Sequence, residues 1–218
     1  MLEILHRMRG VSLHPDRDEG VDPTDRASIE TWLSRSARLS KAAELLKKIA
    51  SHDEKAIVFV EDLGVQRVFA EAMATMFDLD HIPGRIDGGV SGDKRQKIVN
   101  DFQSAPRGFD LLVLSPRAAG VGLTITAANH VIHLSRWWNP AVEDQCNDRA
   151  YRIGQRRDVT IHLPLAMHPD LKEHSFDKKL DLLLEAKRAL SRDMLAPPVG
   201  EGDLDRLFGD VFQAVNSP

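Results

Sequence analysis

Three side chains in the second half of the sequence have types and spacing suited to shared chemistry: Gln145, Arg149 and Arg152. They are four and three residues apart, which places them on one face of a helix. Asn139-Pro140 predicts the start of that helix, because Asn is a favoured N-cap and Pro is favoured at the first helical position. The pattern therefore predicts one polar and doubly basic helix face.

Two guanidinium groups on one helix face repel each other unless an anion lies opposite. A planar guanidinium matches phosphate oxygens, and a nucleoside triphosphate would supply the anion. The alternative is a solvated face on which Arg149 and Arg152 pair with Glu143 or Asp148. The spacing alone leaves both interpretations open.

A second candidate group follows the apolar run Leu111–Leu114. The Ser115 hydroxyl, with nearby backbone N–H groups, is suited to bind a phosphate at the end of a buried strand. Gly120 and Gly122 have no Cβ, so the backbone there can approach a phosphate closely. An ordinary turn is the alternative for this Gly-x-Gly.

Strand-like runs and helical patterns alternate along the chain, which predicts an α/β fold with a parallel sheet covered by helices on both faces. The predicted strands are Ala56–Val60, Ile82–Ile86, Leu111–Leu114, Val131–Leu134 and Val159–Leu163. The predicted helices are 1–13, 40–49, 65–76, 91–102, 170–194 and 204–212, with Ser40 and Ser91 as N-caps. In such folds the loops that bind ligands follow the carboxyl ends of the strands.

Composition excludes several classes of protein. The formal net charge of −4 argues against a chain that coats nucleic acid indiscriminately, so any DNA contact must come from local patches. The single cysteine, Cys146, excludes an internal disulfide framework and indicates a reducing, cytoplasmic location. No apolar run is long enough to span a membrane, and the histidines lack metal-ligand spacing.

Linked motifs give a family resemblance over nearly the whole chain. The run from Gln145 to Gln155 resembles the sixth motif of superfamily-two helicases in its Swi/Snf-type form. Three further segments resemble other motifs of that family in the same order: Lys55–Asp62, Arg85–Phe102 and Phe109–Thr124. The chain is thereby identified as similar to the C-terminal RecA-like lobe of a Swi/Snf-type ATPase, and more like the bacterial members.

The resemblance implies roles for particular residues. Arg149 and Arg152 would act as arginine fingers on the γ-phosphate of ATP, with Gly120, Gly122 and Gln145 near the nucleotide. The DNA-contacting set that it implies is Ser115, Arg117, Arg95, Arg136 and Trp138. The alternative for Trp138 is a role in positioning the helix, and the alternative for Arg95 is a place on a solvated face. Trp137 is expected in the core.

The sequence departs from the pattern of the family at two places. Pro116 stands where the family usually has Thr, which removes one backbone N–H donor. Ser135-Arg136 stands where the family has an acid, so a basic residue is expected beside the loop that faces DNA.

The sequence lacks a Gly-x-x-x-x-Gly-Lys-Ser/Thr loop and an Asp-Glu-x-His run, so nothing in it would hold Mg²⁺ or the β- and γ-phosphates of ATP. ATP and Mg²⁺ are therefore expected with a first lobe preceding this chain, and the chain alone is expected to be inactive. The predicted divisions are a linker region at 1–39, the lobe at 40–165 and accessory helices at 166–218.

The resemblance implies two partners, double-stranded DNA and the first lobe. A further protein partner, from a defence system or from the transcription machinery, is the next expectation, and no membrane is expected. Bacterial members of the family include transcription recyclers and motors of anti-phage systems, and the Leu204–Phe208 tail inclines the interpretation to defence. The alternative is a module that binds DNA or a partner without catalysis.

Overall fold

The computed structural model describes residues 2–17, 20–118 and 122–195. Its helices are α1 (Leu2–Leu13), α2 (Arg26–Ser34), α3 (Ala37–Ala50), α4 (Leu63–Met76), α5 (Gly92–Ser104), α6 (Pro140–Asn147) and α7 (Phe176–Leu195), with a 3-10 turn at Lys172–His174. Its strands are β1 (Lys55–Phe59), β2 (Arg85–Ile86), β3 (Asp110–Leu114), β4 (His130–His133) and β5 (Thr160–His162).

The strands form one five-stranded parallel sheet in the order β2-β3-β1-β4-β5. β1 lies at the centre, with Lys55 opposite Asp110 of β3 and Ala56 opposite His130 of β4. All strands but β2 lie within about two residues of the runs that predict them, and the predicted α/β, RecA-like fold is confirmed.

The two faces of the sheet pack against different helices, which explains the continuously apolar strands. Val58 packs in one core layer with Leu46 of α3 and Phe69 of α4. Phe59, the next residue of β1, packs in the other layer with Phe102 of α5. Because successive side chains of a strand point to opposite faces, both must be apolar when both faces are covered.

The helices before the sheet differ from the prediction. α3 begins at Ala37, three residues before the predicted start, because Ser36 is the N-cap and its hydroxyl accepts a hydrogen bond from Leu39 N at 3.1 Å. Ser40 lies within the first turn and its hydroxyl donates to Leu33 O at 2.7 Å. The sequence pattern missed α2 altogether, although its apolar residues are buried in the core.

Helix α7 is anchored by buried charges near its start. Asp177 forms an ion pair with Arg38 of α3 and accepts a hydrogen bond from Ala166 N at 2.6 Å. One turn later, Asp181 pairs with Arg136 at 2.6 Å. The helix begins at Phe176, after the 3-10 turn, and not near 170 as predicted.

Within the described residues the chain divides after Leu184, so that residues 185–195 of α7 belong to a second unit. The predicted divisions at 39/40 and 165/166 stay predictions, and the predicted final helix at 204–212 lies outside the described residues. Among the residues that the structure describes, every helix is too short or too polar to cross a membrane.

Candidate active site

The helix that was expected to carry the basic face begins as predicted and ends earlier. Asn139 is the N-cap, and its side-chain oxygen accepts a hydrogen bond from Ala141 N at 3.1 Å. The helix stops at Asn147, so the prediction that Gln145, Arg149 and Arg152 share one helical face is wrong. Only Gln145 lies on α6, where it is exposed.

A tertiary hydrogen bond holds the chain two residues after the end of α6. The carbonyl of Arg149 accepts from Ile125 N at 2.8 Å, so it is no longer available to an amide of the next helical turn. The chain then turns through Gly154, whose φ of +102° favours glycine. Arg149 and Arg152 therefore lie in this turn, which we call the arginine turn (residues 148–157).

Both guanidiniums reach the same backbone segment. Nη1 of Arg149 lies 3.4 Å from the carbonyl oxygen of Leu123. Nη1 of Arg152 donates to the carbonyl of Gly122 at 3.0 Å and lies 3.3 Å from that of Leu123. The structure thus brings Gly122 beside the two arginines, while Gly120 lies outside the described residues.

These guanidiniums are not neutralised by carboxylates in the part of the chain that the structure describes. Glu143, one of the two acids proposed as an alternative partner, pairs instead with Arg136. Arg149 is buried, and its Nε has no hydrogen-bond partner among the described residues. Burial and the neighbouring charge of Arg152 lower the pKa of Arg149. The ion pairs with Glu143 or Asp148 that the alternative requires are therefore not formed among the described residues, although Arg152 is exposed to solvent.

Arg149 and Arg152 line an open groove together with other residues of the arginine turn. Gln145 does not line it. The sequence prediction missed Tyr151 and Ile153, which flank Arg152 and are 71% and 100% exposed. The sequence offered no signal for their exposure, because single apolar residues at a protein surface are common.

A second group of predicted residues lies at the carboxyl edge of the sheet. Ser115 is buried and donates its backbone N–H to Ile86 O at 2.9 Å. Its hydroxyl accepts from Ala118 N at 3.2 Å, so the hydroxyl caps the turn that contains Pro116. Arg117 is exposed at the tip of this turn.

Two tryptophans and two arginines assemble beside that turn. The guanidinium of Arg117 lies 5.4 Å from the centroid of the Trp137 ring. That of Arg9, from α1, lies 5.6 Å from Trp137 and 5.4 Å from Trp138. Both tryptophans are half-buried, so the expectation of Trp137 as a core anchor is not met, and Trp138 packs edge-on against Phe176. Cation–π contacts of this kind hold the basic groups in place.

The expectation that Arg136 faces DNA is wrong. Its side chain is 1% exposed; its Nε lies 2.8 Å from Glu143 and its Nη1 lies 2.6 Å from Asp181. Burial opposes the charge of Arg136, but the hydrogen bonds and charges of Glu143 and Asp181 together outweigh burial and raise the pKa of Arg136. A guanidinium committed to two carboxylates in the interior has no access to a DNA phosphate.

Arg95 supports the loop after β2. Its Nη2 lies 3.3 Å from the carbonyl oxygen of Asp87 and 3.2 Å from that of Gly88. The side chain is half-buried, so it shapes this loop at the carboxyl edge. Its contact with DNA stays a prediction.

The fold and the site together define a class of protein. An all-parallel α/β sheet carries a pair of unneutralised arginines beside a glycine-containing loop, without a phosphate loop or an Asp-Glu-x-His run. These features define a RecA-like α/β lobe. Comparison with known proteins makes the assignment definite.

Residues 38–154 match the helicase conserved C-terminal domain. The chain is 36% identical to the Zorya protein ZorD of Escherichia coli O139:H28 over 95% of its length, and 33% identical to the putative ATP-dependent helicase/translocase YwqA of Bacillus subtilis over 89%. It covers 19% and 20% of those two proteins, about a fifth of each.

A solved structure, the Sulfolobus solfataricus SWI2/SNF2 ATPase core in complex with dsDNA, superposes with a TM-score of 0.65 at 28% identity. The superposition covers 88% of this chain and 37% of that one. The chain belongs to the helicase C-terminal domain family and is the C-terminal lobe of a Snf2-type ATPase.

Proposed function

We propose that this chain is the second lobe of an ATP-dependent DNA translocase and supplies Arg149 and Arg152 as arginine fingers. The observation that carries the proposal is the state of the two guanidiniums. They donate to backbone carbonyls of Gly122 and Leu123 and have no carboxylate partner among the described residues. Such a pair is complementary to the negative charge of a triphosphate.

The division of labour follows from the residues present. In phosphoryl transfer, the nucleotide supplies the phosphoryl group that reacts, and Mg²⁺ neutralises part of its negative charge. No group of three metal-ligating side chains is arranged for a metal in the described part of this chain. Arg149 is buried and therefore held in a fixed position, whereas Arg152 is exposed at the groove. The pair thus offers one fixed guanidinium and one that can extend towards the phosphates.

DNA binding is proposed at the carboxyl edge, through Arg117 and Trp138 with the loops of Ser115 and Arg95. Arg117 is exposed and held over Trp137, which suits a contact to the DNA backbone. The superposition on a SWI2/SNF2 core complexed with dsDNA supports this partner. Similarity to a Zorya protein over 95% of the chain supports a role in anti-phage defence.

The experiment is ATP turnover by the full-length protein with and without duplex DNA. Arg149→Ala and Arg152→Ala are each expected to reduce DNA-stimulated turnover by about 10³-fold, because each removes transition-state charge stabilisation. Arg67→Ala, on the exposed face of α4, is the matched control and is expected to keep normal turnover. Normal turnover in the Arg152 variant would overturn the finger assignment, as would ATP hydrolysis by this chain alone.

A further inference from the structure

Besides the groove lined by the arginine turn, a second basic recess lies at the amino edge of the sheet. This edge is opposite to the one that carries Ser115 and Trp138. The recess is formed where the chain enters β1, β3 and β5, because the amino ends of parallel strands meet at one edge. The basic side chains that line it are Lys55, Arg107, Arg156 and Arg157. The recess is therefore built from three loops that are distant in sequence.

The cations of this recess outnumber its acids. Asp53 also lines it, and Glu54 lies 4.0 Å from Arg157. Arg107 and Arg156 are exposed, and neither side chain has a hydrogen-bond or ion-pair partner among the described residues. In a chain with a net charge of −4, Arg107 and Arg156 are therefore two exposed cations without a carboxylate partner among the described residues.

One cation of the recess is held rigidly. Lys55 is 6% exposed, and its Nζ donates to the carbonyls of Phe102 and Ala105 at 3.1 Å each. It also lies 5.1 Å from the centroid of the Phe102 ring. Carbonyls and a ring stabilise an ammonium without cancelling its charge. The loop that follows Ala105 then presents Arg107 and turns at Gly108, whose φ is +141°.

The recess is continuous with the arginine groove, because Arg156 and Arg157 line both. A single small anion would be met by one or two donors. The arginine groove is the proposed site of the triphosphate, and the recess extends the positive charge beyond that site. Its guanidiniums, spread over separate loops, fit an extended chain of phosphates better.

We infer that Arg107, Arg156 and Arg157 of this recess, with Lys55 buried behind them, bind the phosphodiester backbone of nucleic acid, as a contact separate from the one at the carboxyl edge. The inference does not rest on ATP hydrolysis. It assigns this lobe two nucleic-acid surfaces on opposite edges of one sheet, so that a strand or a second duplex segment can be held while the carboxyl edge engages the first.

The test is fluorescence anisotropy of a labelled duplex of about 20 base pairs with the 218-residue chain, over a series of salt concentrations starting near 50 mM. The variant is Arg107→Gln with Arg156→Gln, both exposed positions. Binding is expected to weaken roughly tenfold at the lowest salt, and the slope of log K against log[salt] is expected to fall by about two, one for each lost phosphate contact.

The control changes net charge by the same amount elsewhere: Arg26→Gln with Arg67→Gln, on exposed positions of α2 and α4. An equal loss in the control would overturn the inference, because bulk charge would then explain the binding. Wild-type affinity in the Arg107/Arg156 variant would also overturn it. Displacement of the duplex by a polyglutamate peptide at equimolar concentration would overturn the assignment to nucleic acid.

A further variant separates the inference from the proposed function. Arg117→Gln probes only the DNA contact at the carboxyl edge. A loss with Arg117→Gln and none with Arg107→Gln/Arg156→Gln supports the proposed DNA contact and overturns the recess. The reverse pattern supports the recess and counts against the contact at the carboxyl edge.

Discussion

Nη1 of Arg152 lies 3.0 Å from the carbonyl oxygen of Gly122, thirty residues earlier in the chain. This contact joins the arginine turn to the glycine-containing loop that follows β3, and Arg149 adds a second contact to the same segment through Leu123. The position of each guanidinium therefore depends on the backbone conformation of the loop, and a change in the loop must reach the arginines.

Gly122→Ala is expected to destabilise the chain by about 1 kcal/mol, because φ at this position is +40° and an L residue pays a conformational cost there. A Cβ at this position meets nothing within 4 Å, so the cost is one of backbone conformation alone. Gly122→Asn is the matched control, since Asn adopts left-handed backbone more readily. Urea unfolding measures both; equal losses would contradict this account.

The sequence predicted the sheet well and the arginine turn poorly, for a physical reason. Strands such as β1 are buried on both faces, so their local residue pattern already reflects the fold. The path of the chain after α6 depends on the bond from Ile125 N to Arg149 O, between residues far apart in sequence. The burial of Arg136 likewise depends on its contact with Asp181, 45 residues later, and no local sequence pattern shows that these two residues meet.

The buried ion pair of Arg136 with Glu143 is expected to matter for stability more than any exposed pair. Arg136→Ala leaves the carboxylates of Glu143 and Asp181 without their partner in the interior, which costs about 3–5 kcal/mol. Arg26→Ala, which removes an exposed pair with Asp78, is the control and is expected to leave the urea midpoint unchanged. A small effect of Arg136→Ala would show that the interior there admits water.

Glu143 makes this stability depend on pH. Burial by itself raises the pKa of Glu143, but the hydrogen bonds and charge of Arg136 outweigh burial, so the pKa lies below its ordinary value of 4.5. The folded state thus binds the proton less tightly than the unfolded state. The ionised Glu143 therefore contributes to the free energy of unfolding. This contribution is fully present at a pH above the pKa of Glu143 in the unfolded state, and it is lost as the pH falls through the pKa in the folded state.

The acid dependence can be measured by urea unfolding between pH 7 and pH 3, with Glu143→Gln as the comparison. The wild-type chain is expected to lose stability more steeply on acidification than the variant, because the variant has no carboxylate to protonate at this site. Parallel pH profiles would show that Glu143 does not titrate differently in the two states.

Cys146 is expected to be chemically inert in the folded chain. It is buried on α6, and burial is the main cause that raises the pKa of its thiol to about 12, against a smaller opposing effect of Arg149. At neutral pH almost no thiolate is present, and the thiolate is the nucleophile in alkylation. Iodoacetamide at pH 8 is therefore expected to modify the chain only after unfolding in urea, as followed by mass spectrometry. Rapid labelling of the folded chain would mean that α6 opens from the sheet, and Arg149 would then not be held in the fixed position that the proposed finger requires.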